Sequence, residues 1–238
     1  MTKEDKKTIS QKDVMTLLNN CYLKVNEGIP HISQPVQELA KNYLDKKGDI
    51  LSAAKSLVNA QVTKCATSGF VTSFGGFITM PITIPANIGS VLYVQMRMIG
   101  AIATMAGYDL SSDQVQTLIY SCLAGVALTG IAKKTIQQFG MKYATTLINK
   151  IPKSVIIKIN QKVGYRFLTK MGTKGTVNLI TLVPGISAII GAAFDGTDTK
   201  LIGERAIRWF IKGDFSVKAK KSEDVIVIDC NTGEESIN

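Results

Sequence analysis

Residues 65–96 carry no formal charge, and this run constrains the fold more than any other feature of the chain. So apolar a segment belongs either inside a core or against lipid. Gly75-Gly76 and Pro81 interrupt it. Proline lacks the backbone donor that an unbroken helix uses, and in hydrocarbon every backbone group must be satisfied internally. The expected outcome is a short apolar helix or loop, a break, and then a long helix over about 85–106. Pro85 suits the first turn of that helix and Gly107 its end. A second charge-free segment, 177–194, is broken in the same way at Pro184-Gly185. Each segment leads into a helix rich in small residues, so each is read as one bent hairpin.

Elsewhere apolar residues recur at three- and four-residue steps, the helical period. Val14, Leu17, Leu18, Cys21 and Val25 define a helix over 13–28, stopped at Gly28. Ser33 is expected to cap a second helix reaching Leu44, with Pro35 in its first turn. Further helices are expected over 50–66, from Ser111-Ser112-Asp113 to about 130 or into 133–139, and over 141–150, 153–171 and 198–211. Val225-Ile226-Val227-Ile228 is the one strand-like run, read as a docked or disordered appendage. The fold class is therefore all-α: a compact multi-helix bundle with apolar, Pro/Gly-broken helical hairpins at its centre. Residues 1–12 read as a flexible N-terminus, 13–212 as a single helical domain and 213–238 as a polar C-terminal tail.

Charge is segregated. The formal net charge is +10, yet no acidic residue lies between Asp113 and Asp195. Ten of the 28 Lys and Arg residues lie in that interval, so the remainder of the chain balances its 18 Asp and Glu. A basic region this localised implies an anionic partner more strongly than a diffuse excess would. Within it Lys158, Lys162, Arg166 and Lys170 follow at four-residue steps, with Val155, Ile159, Val163 and Phe167 running alongside. Such a pairing can lie on an anionic bilayer, where each Lys or Arg contributes about 1 kcal/mol. A solvated helix face with snorkelling lysines has the same pattern. Nucleic acid is disfavoured as a partner, because the segment has few aromatics for stacking and no known module.

Residues that could carry chemistry are scarce. His31 is the only histidine, and it sits beside a proline in an expected turn. No HExxH or GxSxG motif occurs, and Gly172-Thr173-Lys174-Gly175 lacks the spacing of a phosphate-binding loop. Cys21, Cys65, Cys122 and Cys230 are scattered, as reduced thiols are. No catalytic residue, metal or cofactor is assigned. An enzymatic alternative would rest on carboxylates such as Asp195 and Glu204. The charged start, Met1-Thr2-Lys3-Glu4-Asp5, leads into no apolar stretch, so the cytoplasm is the expected compartment.

Arg97 stands alone in an apolar helix. Asn87, Ser90, Arg97 and Thr104 share one side of it, a thin polar seam. A buried charge needs a partner, and the acids in comparably apolar surroundings are Asp195 and Glu204. A buried Arg97–Asp195 pair locking the two hairpins together is the expectation.

Ser68-Gly69-Phe70-Val71-Thr72, Ile84-Pro85-Ala86-Asn87, Gln95-Met96-Arg97-Met98-Ile99 and Gly107-Tyr108-Asp109 resemble motifs of the EcsC family. So do Ile159-Asn160-Gln161-Lys162-Val163-Gly164-Tyr165-Arg166, Lys174-Gly175 and Gly191-Ala192-Ala193-Phe194-Asp195. The resemblance runs from about residue 22 to 210. It implies a helical bacterial protein, named for an operon that also encodes an ABC transporter, and it brings no catalytic residues. It adds weight to Arg97, Asn87 and Asp195. The leading expectation is a non-enzymatic helical protein at the inner face of the cell membrane, held by its basic surface and accessory to envelope transport. The alternative is a soluble helical scaffold or oligomer acting through a protein partner.

Overall fold

The computed structural model describes residues 9–66, 86–130, 146–172, 196–217 and 225–237. The chain is all-α with one small sheet: α1 (Gln11–Glu27), α2 (Val36–Lys47), α3 (Ile50–Ala66), α4 (Ala86–Met105), α5 (Asp113–Ala124), β1 (Ala127–Thr129), α6 (Lys153–Gly172), α7 (Gly196–Ala206), β2 (Ile226–Asp229) and β3 (Glu235–Ile237). A π-helical turn, Ile207–Ile211, extends α7.

The long apolar helix is the axle of this arrangement. α4 touches α1, α2, α3, α5 and α7. Its stretch Ile88–Met105 has mean hydropathy 1.3 over 18 residues, enough by length and composition to cross a bilayer, but 94% of it is buried inside the protein. The surrounding helices thus remove its apolar surface from water, at about 25 cal/mol per Å². α7 approaches closely enough that a Cβ on Gly203 would lie 2.6 Å from Val58 Cγ2 and 3.2 Å from Met98 Sδ. The described arms of the two apolar segments, α4 and α7, therefore pack together. Their preceding arms, 67–85 and 173–195, lie outside the described residues.

Local chemistry explains the boundaries. Ser10 and Asp13 form a reciprocal capping box that starts α1 at Gln11, two residues before the apolar period becomes visible. Gly28 ends it with φ 78°, and a Cβ there would strike the Ser33 carbonyl at 2.6 Å. Pro35, not Ser33, occupies the N-cap of α2. The Ser33 hydroxyl is engaged elsewhere: it accepts from the Ile29 amide and meets Tyr93 Oη at 2.6 Å.

The largest departure from expectation follows α5. That helix does not run to 130; it stops at Gly125, which adopts the left-handed conformation with φ 75°. Arg205 Nη1 donates to the Cys122 carbonyl at 2.6 Å, a cation at the negative end of the helix. Ala127–Thr129 then becomes a strand, paired in parallel with β2 in the register Ala127↔Val227 and Thr129↔Asp229. β3 adds antiparallel, Ile228 opposite Glu235. The strand-like run in the tail is therefore docked: Val225, Ile226, Ile228 and Cys230 are buried.

Candidate basic surface and buried polar seam

α6 lays one face on α1 and α5. Val155, Ile159, Val163 and Phe167 are that face, each at most 3% exposed. The apolar stripe read beside the lysines is thus spent on the core and is not offered to a bilayer. What stands outward instead is Ile157, 57% exposed, and Tyr165, 53% exposed. They lie eight residues apart, on one side of the helix, with Gln161 exposed between them. Lys158 is exposed beside them and Lys162 and Arg166 are half-buried; the Lys170 side chain lies outside the described residues. Lys162 Nζ sits 5.7 Å from the Tyr165 ring centroid, a cation–π contact.

Against the expectation of a free lysine-rich side, part of it is engaged by the protein itself. Glu235 of β3 reaches back to Lys162, with 2.6 Å between Oε2 and Nζ. The turn before it runs against Lys158: a Cβ on Gly233 would lie 2.9 Å from Lys158 Cδ. The protein's own tail thus contacts the middle of the stripe, while Lys158, Lys150 and Lys153 remain exposed.

The seam on α4 is distributed differently from its sequence reading. Ser90 is fully buried and Arg97 is 7% exposed. Arg97 Nη2 donates to the Gln34 carbonyl at 2.8 Å, whereas its Nε has no hydrogen-bond partner among the described residues. Burial pulls the Arg97 pKa down, and the charge interaction with the Tyr93 and Tyr43 hydroxyls opposes that pull. Burial and the neighbouring Arg97 likewise lower Lys64. Asp195, the expected counter-charge, and the Asn87 side chain lie outside the described residues. Glu204 does not join the seam. On α7 the inward positions are Thr199, Ile202, Gly203 and Ala206; the helical rotation carries Glu204 to the exposed side.

A second polar cluster escaped the sequence reading. Gln95 Nε2 donates to Thr199 Oγ1 at 3.1 Å, both groups fully buried. Cys65 shares the same threonine hydroxyl, although burial still raises its thiol. Gln95 Oε1 and Gln61 Nε2 are buried without partners among the described residues. The available signal was an uncharged amide inside the apolar run Tyr93-Val94-Gln95-Met96. Burial also pushes Cys21 and Cys122 up to about 12, so these thiols are not nucleophiles at neutral pH. His31 sits in an exposed turn with φ 62°. Among the described residues no group of His, Cys, Asp and Glu could hold a metal ion.

No curated protein and no solved structure matches the chain. The model of the EcsC protein family matches residues 6–212, a span that ends one residue after the π-helical turn, and β2 and β3 lie beyond it. With most of its length matched, the chain belongs to the EcsC protein family.

Proposed function

We propose that this chain is a non-enzymatic helical protein that docks at the inner face of the cell membrane through the outer side of α6, accessory to envelope transport. The observation that carries the reading is the exposure of Ile157 and Tyr165 beside Lys158 and Lys162. Ordinary solvated lysine faces have no need of large apolar neighbours. An anionic bilayer accepts both kinds of group: the lysines meet headgroups, at about 1 kcal/mol each, and the isoleucine and tyrosine enter the interface. α6 contributes five basic residues and no acid over 153–172, so its field has one sign.

Flotation with vesicles of phosphatidylglycerol and phosphatidylcholine tests this. The chain should rise with mixed vesicles at low salt, stay behind with phosphatidylcholine alone, and detach as salt is raised. Absence of binding at low salt ends the reading, and retention on a single-stranded oligonucleotide instead would reassign the face to nucleic acid. A second reading, a soluble scaffold or oligomer, is favoured by the enclosure of α4. A monodisperse protein that ignores both kinds of vesicle would select it.

A further inference from the structure

We propose that the C-terminal hairpin, β2 with β3, is an intramolecular cover for the basic face of α6 and competes with anionic lipid for it. The inference rests on the membrane reading above and assigns its regulation.

Three observations converge. First, the hairpin places its charge where the face is basic. Residues 225–237 contain Asp229, Glu234 and Glu235 and no Lys or Arg, opposite a helix with five cations and no acid. Glu235 lies 2.6 Å from Lys162, and the Gly233 turn lies along Lys158. These two lysines flank the exposed Ile157 and Tyr165. A bilayer approaching Ile157 and Tyr165 would therefore compete with Glu235 for Lys162.

Second, the cover is built to leave. All of β3 is exposed, including Ile237 at 64%. It is held by three backbone pairings to β2 and by an ion pair whose partners are 37% and 30% exposed. Partly hydrated pairs of this kind are weak and screened by salt. β2 is anchored differently, by buried Ile226 and Ile228 and by its ladder to β1. β3 can peel away while β2 stays, releasing Lys162 from its acidic partner.

Third, the hairpin lies outside residues 6–212, the span matched by the family model. It is an addition to the matched body, laid over that body's basic face.

The test compares vesicle flotation of the full-length chain with that of Glu235→Gln and Glu38→Gln, in mixed phosphatidylglycerol–phosphatidylcholine vesicles at low salt. Glu38 is exposed on α2 and controls for net charge. Glu235→Gln should bind about five-fold more tightly, the effect of one additional free cation at such a surface, while Glu38→Gln stays near the parent. If the parent and Glu235→Gln bind equally, the cover is refuted and the membrane reading stands. Equal gains in both variants refute the cover too, since net charge alone then explains them. If none of the three binds, the membrane reading fails and the cover falls with it.

Discussion

Arg97, at the middle of α4, donates through Nη2 to the backbone carbonyl of Gln34, the residue just before the N-cap of α2. The guanidinium thereby ties the central helix to the start of a neighbouring one. A carbonyl satisfies one donor but supplies no counter-charge, and Asp195 is the acid expected to do so. If Asp195 is that partner, Arg97→Met should lower stability by about 3–5 kcal/mol, since removing one member of a buried pair leaves the other uncompensated. Thermal unfolding checks it. A midpoint that stays or rises would show that no buried acid depends on Arg97.

Gly125 combines a left-handed backbone with close approach of a side chain. Its φ is 75°, and a Cβ would sit 3.3 Å from Arg205 Nη1. Gly125→Ala should cost about 1–2 kcal/mol from the backbone alone, read as a lower urea midpoint with an unchanged slope. Gly48, with φ 75° and nothing near its missing Cβ, supplies the comparison without the contact.

Close contact alone governs Gly203. A methyl group there would press on both Val58 methyls, at 2.6 and 2.7 Å. Gly203→Ala should destabilise by about 1–3 kcal/mol through overpacking. Val58→Ala in the same chain should restore part of that loss. A double-mutant cycle showing plain additivity would mean that α3 and α7 do not meet there.

Stability should fall in alkali. Burial pushes Cys21, Cys122 and Cys230 up to about 12, against an ordinary value of 9.0. Below pH 9 both the folded and unfolded chains keep these protons, and the contribution of burial is complete. Above it the unfolded chain releases them first, so stability declines as the pH climbs toward 12, by about 1 kcal/mol per thiol per pH unit. Urea midpoints at pH 8 and pH 10 check the sign. Among the four thiols Cys65 is the least buried and should be the first alkylated in the native protein.

Ile157→Ser with Tyr165→Ser should weaken vesicle binding without shifting the thermal midpoint, since both side chains are more than half exposed. A lowered midpoint with unchanged binding would make them structural.

Local signals made much of the fold legible. α3 spans the residues that periodicity assigned, and Gly28 and Gly107 end helices where expected, because caps and apolar spacing act over one or two turns. Ala127–Thr129 was not legible. Nothing in those three residues specifies a strand; their partner lies about a hundred positions away, and the sequence before them reads as continuing helix. Glu204 failed for a related reason, since apolar neighbours in sequence do not say which way a helix is rotated. Arg97 was visible because a lone charge in an apolar run is conspicuous. Gln95 and Thr199 were not, because uncharged polar residues look ordinary until their surroundings close over them. The basic stripe was legible as a pattern, but its cover was not, since Glu235 belongs to a segment whose position depends on β1.

The parallel ladder between β1 and β2 also sets an order in time. A ribosome delivers Ala127–Thr129 long before Ile226–Asp229, so β1 must wait through the synthesis of the whole intervening chain before its partner arrives. The helices around α4 can assemble during that wait. The sheet closes last; until it does, the lysines of α6 lie bare in the nascent protein, and Lys162 acquires its acidic neighbour only when translation has passed Glu235.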